Sequence, residues 1–214
     1  MADDLHLLGY RYSVYTRILR MALIEMSLEA SYTEVDPFAA TPDPVLAQYS
    51  PFDHVPVLRD GDFVLTETAA ILRYLNAVGP GLSLVPTSPK ALARMAQVTG
   101  IVDAYAYRPM VRKVFSGAVF GPFEGREADP ALVDEGLHEA KAPLRALDTI
   151  ADEGHQLDGT DITLADLHLA PMMAYFVMAE PGAELLRDYP ALARWWEAVE
   201  DRPSLLQTDP FKAS

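Results

Sequence analysis

Two short motifs near the amino terminus place hydroxyl and carboxyl groups where helices are predicted to begin. Ser13 precedes a helical pattern, where a hydroxyl caps the helix. The positive end of that helix also suits a hydroxyl that donates to an external thiolate. At Thr66–Thr68, the free amides of a helix start and the Thr68 hydroxyl would form an anion site, while Glu67 would accept from an ammonium group. The alternative for both motifs is an ordinary helix cap.

A third motif, Val55–Pro56, lies between a short helical pattern and a predicted hairpin. A proline at the start of a strand cannot donate to the sheet and is a candidate for a cis peptide bond. Such a bond would expose the backbone of Val55 to a peptide-like ligand. The alternative is a proline on an edge strand.

The elements that must position these motifs alternate along residues 1–78. Short apolar or alternating runs predict strands at residues 5–8, 32–35, 55–58 and 63–65, and helical spacing predicts helices at residues 14–26, 45–49 and 67–78. The Asp60–Gly61 pair is typical of a turn between antiparallel strands. The order β-α-β-α-β-β-α therefore predicts a small mixed sheet with helices.

A segment rich in proline and glycine then predicts a domain boundary, and only helical patterns follow it. We therefore expect an α/β domain at residues 1–79, a linker at residues 80–89 and an all-helical domain at residues 90–214.

Together these motifs resemble the glutathione S-transferase family, and the resemblance covers nearly the whole chain. Ser13 lies four residues before Arg17, as in the serine-type classes of the family. Val55–Pro56 is similar to the family's cis-proline site, and Glu67–Thr68 to its Glu/Gln-Ser pair. The resemblance points to a bacterial-looking, theta-, zeta- or delta-like cytosolic member.

The carboxy-terminal part resembles the family independently. Asp161–Leu167 is similar to the capping box of the central helix, with Thr163 and Asp166 as the reciprocal pair. Tyr189–Trp195 is similar to the start of a late helix. The family's fold is a thioredoxin-like domain followed by an all-helical domain.

The resemblance implies an enzyme that binds glutathione as co-substrate and stabilises its thiolate for attack on a small electrophile. Ser13 would donate to the thiolate, with Tyr12 and Tyr15 as rival hydroxyls. Conjugation, dehalogenation, ether cleavage and isomerisation are all open. The alternative is a non-catalytic member of the fold that binds glutathione or a partner protein.

The glutathione contacts implied by the resemblance come from four places in the sequence. The backbone of Val55 would pair with the cysteinyl part, and Glu67 and Thr68 would hold the γ-glutamyl end. His54 stands where the family often has a lysine and would contact the glycine carboxylate. Asp103 would reach the amine of glutathione in a neighbouring subunit of a homodimer.

The electrophile would lie against a long helix after Lys90. Four of its predicted contacts are spaced to share a helix face: Tyr105, Arg108, Arg112 and Phe115. Tyr12 is a fifth predicted contact and comes from the other domain. Arg108, Arg112 and Lys113 form a cationic cluster with no acid between Asp103 and Glu124. The alternative is a solvated basic patch with aromatic residues in the core.

Composition excludes several other classes. The 214 residues include 17 Lys+Arg and 31 Asp+Glu, and the net charge of −14 opposes binding to nucleic acid or anionic membranes. Cysteine is absent, which excludes disulfides and a cysteine nucleophile of the protein's own. The five histidines show no metal-ligand spacing. The acidic start carries no signal peptide pattern, so a cytoplasmic protein without metal or membrane partner is expected.

Overall fold

A four-stranded mixed sheet forms the centre of the first of two compact units. The computed structural model describes residues 4–41, 43–81 and 83–212, and the units comprise residues 4–84 with 203–212, and residues 85–202. The strands are β1 (Leu5–Gly9), β2 (Ser31–Glu34), β3 (Val57–Asp60) and β4 (Phe63–Leu65). Their order is β2-β1-β3-β4; β1 and β2 are parallel, and the other pairs are antiparallel. The predicted mixed sheet is confirmed.

The helices of the described residues follow the predicted order. They are α1 (Val14–Glu25), α2 (Pro44–Tyr49), α3 (Thr68–Val78), α4 (Pro89–Ile101), α5 (Gly121–Phe123), α6 (Pro130–Asp152), α7 (Leu164–Met178), α8 (Glu180–Leu186), α9 (Pro190–Val199) and α10 (Pro203–Gln207). Two π-helical segments, Val102–Ala106 and Arg108–Phe120, lie between α4 and α5. Pro42, expected to break the chain before α2, and Leu82 of the expected linker lie outside the described residues.

The helices and sheet of the first unit share an apolar core. α1 and α3 contact each other, and each buries an apolar stripe. Leu8, Val35, Leu46 and Val57 form a buried cluster that links β1 and β3 to α2. Because this core holds the strands and helices rigidly, it fixes the loops at their ends.

The final segment groups with the first unit rather than with the helices before it. Buried Arg17 of α1 donates from Nη2 to the carbonyl oxygen of Leu205 at 3.0 Å, and the Ser204 hydroxyl donates to Glu25. The expected division placed residues 203–214 with the all-helical domain. The local sequence pattern of α10 does not distinguish it from the other helices. Its grouping with the first unit depends on contacts with α1, which is remote in the sequence.

The regular elements among the described residues of the second unit are all helices, and α7 lies at its centre. Twelve of the fifteen residues of α7 are buried. The predicted capping box is confirmed: Thr163 accepts a backbone hydrogen bond from α7, and Asp166 Oδ2 accepts from the Thr163 N–H at 2.8 Å. Trp195 of α9 donates from Nε1 to Asp166 Oδ1 at 2.8 Å, so one carboxylate joins α7 to α9.

Within the described part of the chain, no helix combines the length and apolar character that crossing a membrane requires.

Candidate active site

The strand registers bring the three polar motifs to one edge of the sheet. β1 and β4 end at this edge and β3 begins there, because Leu8 lies opposite Val57 and Leu58 lies opposite Leu65. The segments that continue from these strand ends carry Ser13, Val55, Glu67 and Thr68. We call these four residues the site edge.

Ser13 begins α1, and its hydroxyl has a proton left to donate. The Ser13 oxygen accepts from the Thr16 N–H at 3.3 Å, as predicted for a cap. Among the described residues, nothing accepts the Ser13 hydroxyl proton. The side chain is half-buried, and it lies at the positive end of the twelve-residue α1. A ligand anion at this place would receive a hydrogen bond without breaking the cap.

The loop before β3 presents the backbone of Val55. The Val55–Pro56 peptide bond is cis, which confirms the prediction. The Ser50 hydroxyl braces the loop, since it donates to the His54 carbonyl and accepts from the His54 N–H, both at 3.0 Å. Within the described residues, the N–H and C=O groups of Val55 have no hydrogen-bond partner, so they are available to an extended ligand.

The His54 imidazole is exposed beside this loop. Its Nδ1 contacts the carbonyl oxygen of Phe52, and its Nε2 has no hydrogen-bond partner among the described residues. Hydrogen bonding at one ring nitrogen fixes the orientation of the other. A ligand carboxylate is a chemically suitable partner for Nε2.

The start of α3 offers a second anion site. Glu67, not Thr66, occupies the N-cap position, and no side chain caps the helix. The carbonyl of Glu67 accepts from the N–H groups of Ala70 and Ile71, which leaves the first two amides of α3 and the Thr68 hydroxyl unpaired among the described residues. The sequence pattern predicted a helix from residue 67, which would place the N-cap at Thr66, one residue earlier than in the structure.

Glu67 has an unusual backbone conformation. Its φ is +66°, in the left-handed region that favours glycine, and its carboxylate is exposed with no described partner. A non-glycine residue in this region costs about 1 kcal/mol or more. Such a cost persists where the surrounding fold holds the backbone in place, and here the Glu67 side chain does not cap the helix that it precedes.

The loop between β1 and α1 is tied to β2 by Glu34. The Arg11 N–H donates to Glu34 Oε1 at 2.9 Å, and the Arg11 side chain donates to the same oxygen at 3.3 Å. The Tyr32 hydroxyl donates to Glu34 Oε2 at 2.7 Å. Because Arg11 lies two residues before Ser13, Glu34 restrains the loop that carries the Ser13 hydroxyl.

An aromatic group lies beside Ser13, and the sequence analysis found only one of its members. Tyr12 packs edge-on against Tyr10 and also contacts Phe211, with ring centroids 5.5 Å and 5.4 Å apart. Phe38 contacts Tyr10 and is 66% exposed. Tyr12 was predicted as an electrophile contact. The others were missed because the group combines three separate segments of the chain, at residues 10–12, 38 and 211.

The predicted electrophile face in the second unit divides into two environments. Tyr105, Arg108 and Arg112 are exposed, whereas Phe115 is buried and stacks on Tyr175 with ring centroids 4.3 Å apart. The predicted spacing assumed 3.6 residues per turn. These residues lie in π-helical segments, whose wider turn moves residues three apart, such as Arg112 and Phe115, off a common face.

The predicted cationic cluster also loses one member. Lys113 is only 4% exposed, and its ammonium contacts Glu135 at 2.8 Å and Glu139 at 2.7 Å. Hydrogen bonds to these two carboxylates raise the pKa of Lys113. No acidic residue lies between Asp103 and Glu124 in the sequence, but α6 places two glutamates beside Lys113 in the structure.

Asp103 is engaged within its own unit. Its Oδ1 lies 2.8 Å from Nε2 of the fully buried His168 on α7. His168 is therefore a hydrogen-bonded interior histidine. The Asp103 side chain is nevertheless 40% exposed, so its second oxygen remains accessible.

Comparison with known proteins identifies the relatives of this arrangement. The chain matches the family models described as "Glutathione S-transferase, N-terminal domain" over residues 12–78 and "Glutathione S-transferase, C-terminal domain" over residues 107–203. It is 33% identical to glutathione S-transferase 1 of Triticum aestivum, covering 76% of this chain and 74% of the relative. It is 28% identical to glutathione S-transferase F13 of Arabidopsis thaliana, covering 95% and 94%.

A solved structure supports the same relationship. The chain resembles glutathione S-transferase I from mais in complex with an atrazine glutathione conjugate, with a TM-score of 0.79 and 25% identity over 97% of both chains.

Proposed function

Because the chain belongs to the glutathione S-transferase family, we propose that it binds glutathione at the site edge and activates the thiol through the Ser13 hydroxyl. The observation that carries this proposal is the Ser13 hydroxyl itself, which accepts from Thr16 and keeps a proton to donate. The enzyme is thus proposed to be of the serine type. Its glutathione-transferase activity follows from the family.

The chemistry required of Ser13 is stabilisation of an anion. A free thiol has a pKa of about 8.5, so at neutral pH only a small share is present as the reactive thiolate. A hydrogen bond to the anion and the positive end of α1 both lower that pKa. The protein then needs no general base, because the proton leaves to solvent.

The rest of the site edge is proposed to hold glutathione in extended form. The free N–H and C=O groups of Val55 pair with the cysteinyl backbone, and the unpaired start of α3 with Thr68 receives the γ-glutamyl carboxylate. Glu67 then accepts from the adjacent ammonium group. The His54 imidazole is proposed to donate to the glycine carboxylate, as expected for a residue in place of lysine.

The aromatic group of Tyr10, Tyr12, Phe38 and Phe211 is proposed to receive an aromatic or apolar electrophile. Exposed aromatic rings are favourable surfaces for such a compound. The mais relative was solved with a conjugate of atrazine, an aromatic compound, which supports this class. Exposed Tyr105, Arg108 and Arg112 remain proposed contacts of the electrophile; Phe115 is withdrawn because its ring is stacked in the core.

Homodimer formation and a cytoplasmic location are also proposed, on the strength of the family alone. In a dimer, the accessible oxygen of Asp103 would contact the glutathione amine of the neighbouring subunit. The other oxygen would stay with His168.

The decisive experiment follows the thiolate absorbance of bound glutathione against pH in the wild type, Ser13→Ala and Tyr12→Phe. We expect the bound thiol to titrate below its free value in the wild type and Tyr12→Phe, and near it in Ser13→Ala. Loss of one donor to a reacting anion lowers kcat/KM about 100-fold, so Ser13→Ala should show that loss together with a fall of about 1 kcal/mol in the free energy of unfolding, the usual cost of a lost helix cap.

Three outcomes would contradict this function. Absence of glutathione binding would overturn the site edge as its location. A thiol pKa that moves in Tyr12→Phe but not in Ser13→Ala would transfer activation to the tyrosine. An unshifted thiol in the wild type would favour the non-catalytic alternative.

A further inference from the structure

Thr16 is a fully buried polar residue of α1, three residues after Ser13. The proposed function uses only its backbone N–H, which donates to the Ser13 hydroxyl oxygen. Its side chain has a different partner, because Thr16 Oγ1 accepts from the Tyr10 N–H at 3.2 Å. Burying a hydroxyl costs free energy that an alkyl side chain of the same size does not cost. The Thr16 hydroxyl therefore calls for a reason beyond the packing of α1.

Three hydrogen bonds join Thr16, Tyr10 and Ser13 in a closed cycle, which we call the Ser13 ring. The Tyr10 N–H donates to Thr16 Oγ1, and the Ser13 N–H donates to the Tyr10 carbonyl oxygen at 2.8 Å. The Thr16 N–H closes the cycle by donating to the Ser13 hydroxyl oxygen at 3.3 Å. An O–H cannot point at the N–H from which its own oxygen accepts. The ring thus limits the directions in which Ser13 can donate its proton.

The backbone of Gly9 fixes the place of the Thr16 side chain in the ring. A Cβ atom at Gly9 would overlap Thr16 Cγ2 and would lie 2.9 Å from Thr16 Oγ1. Thr16 therefore packs directly on the last residue of β1. Because a β-branched side chain in a helix has few allowed rotamers, this contact also restricts where Oγ1 can point.

A second restraint on the same loop comes from Glu34, but it is open to solvent. The side chains of Arg11 and Glu34 are 56% and 34% exposed, and an ion pair in contact with water adds little to stability. Thr16 is 0% exposed, so water does not compete at its hydroxyl for the Tyr10 N–H. The Ser13 ring is therefore the better shielded of the two restraints on Ser13.

We propose that Thr16 is a positioning residue for activation of the glutathione thiol, because its hydroxyl closes the ring that aims the Ser13 proton at the sulfur. This inference rests on the proposed function of Ser13. Without the Thr16 hydroxyl, the Tyr10 N–H loses its acceptor and the turn from residue 10 to residue 13 is released. The positive end of α1 remains, but the hydrogen bond from Ser13 to the thiolate becomes longer and less well directed.

The test follows the thiolate absorbance of bound glutathione against pH, together with kcat and KM, in two pairs of proteins that each differ by one hydroxyl. The first pair is the wild type and Thr16→Val. The second is Thr16→Ser and Thr16→Ala, which both fit the site because they are smaller than threonine. Within each pair, we expect the protein without the hydroxyl to show a higher pKa of the bound thiol. Its kcat/KM should fall about tenfold, mainly in kcat, because a reacting group is misplaced rather than removed.

Two further variants separate positioning from a general loss of stability. If Thr16 acts through Ser13, then Thr16→Ala should not change the thiol pKa further when it is added to Ser13→Ala. The matched control is Thr208→Val, because the Thr208 hydroxyl is 2% exposed and donates to the Ser204 carbonyl oxygen at 2.8 Å. This variant should lower thermal stability and leave the pKa of the bound thiol unchanged.

Three results would each overturn the positioning role of Thr16 alone. The first is an equal thiol pKa within both pairs while Ser13→Ala raises it. The second is an equal effect of Thr16→Ala with and without the Ser13 hydroxyl. The third is a shift in Thr208→Val as large as that in Thr16→Val. If Ser13→Ala itself leaves the pKa of the bound thiol at the wild-type value, the proposed function fails and this inference fails with it.

Discussion

The polar groups of the site edge in the first unit and those inside the second unit differ in whether they have hydrogen-bond partners. At the site edge, the Ser13 hydroxyl proton, the Val55 backbone, the first amides of α3 and the Glu67 carboxylate have no partners among the described residues. In the second unit, Asp166 accepts from Thr163 and Trp195, and Lys113 is held by two glutamates. The first set is arranged for a ligand, whereas the second stabilises the fold.

This difference teaches how to separate binding groups from structural ones in a single chain. A polar group that is buried and satisfied adds to stability and is costly to remove. A polar group that is accessible and unpaired contributes little to folding, and its removal changes affinity or rate instead. The four predictions below test whether the two kinds of group separate in this way.

The largest effect should come from Asp166, the most connected carboxylate of the second unit. Asp166→Ala removes the reciprocal cap of α7 and leaves the buried Trp195 N–H unpaired, so the free energy of unfolding should fall by about 3 kcal/mol. Denaturant titration measures this change. The exposed Asp161→Ala, five residues earlier, should stay close to wild type, and equal losses in both variants would remove the special role of Asp166.

The matching test on the site edge is Glu67→Gln. Because the carboxylate has no described partner, thermal stability should be unchanged, while loss of the charge opposite an ammonium group should raise the KM for glutathione about tenfold, or about 1.4 kcal/mol. Steady-state kinetics and thermal melting give the two readouts. Asp62→Asn, an exposed acid before β4, should change neither. A destabilised Glu67→Gln with normal KM would break the comparison.

A smaller effect is expected at the start of α9. Tyr189 provides no side-chain cap, and Asp148 of α6 accepts from the Ala191 and Leu192 N–H groups at 2.8 and 2.9 Å instead. Asp148→Ala should therefore lower the free energy of unfolding by about 1 kcal/mol, the usual cost of a lost cap, with kcat/KM unaffected. Asp152→Ala, on the exposed surface of α6, is the control; a kinetic defect without destabilisation would contradict the structural role.

The smallest expected effect is on the pH dependence of stability. Burial raises the pKa of Asp166 above its ordinary value of 3.8, against the hydrogen bonds from Thr163 and Trp195 that lower it. The native state then binds more protons than the unfolded state just above that value, so this residue's contribution to stability falls as pH rises through the window. Denaturation from about pH 4 upward should show the wild type losing stability relative to Asp166→Asn. A free energy of unfolding that instead rises in the wild type relative to Asp166→Asn as the pH increases would exclude the raised pKa.

Local patterns predicted most of the first unit and the start of α7 in the second, because each of these elements has a signature in its own short stretch of sequence. Ser13 caps α1, the Asp60–Gly61 turn joins β3 and β4 with φ of +57° at Gly61, and the capping box opens α7. These features depend on neighbours within a few residues, which is the range over which hydroxyls, turns and periodicity act.

The failures came where the deciding partner is remote. Lys113 was predicted in a basic patch, but Glu135 and Glu139 on α6 pair with it. Phe115 was predicted to share a helix face with Tyr105, Arg108 and Arg112, but it is buried and its ring stacks on Tyr175 of α7. No window of sequence around either residue contains the partner.

By itself, the sequence determined the order of the elements, the polar motifs at their ends and the resemblance that led to glutathione. Tertiary structure alone decided which of those groups stay unpaired, because satisfaction of a donor or acceptor depends on what the rest of the chain brings to it. The same dependence brought Phe38 to Tyr10 and Phe211 to Tyr12. Covalent order fixes which side chains exist at each helix start, and packing fixes which of them remain free to bind.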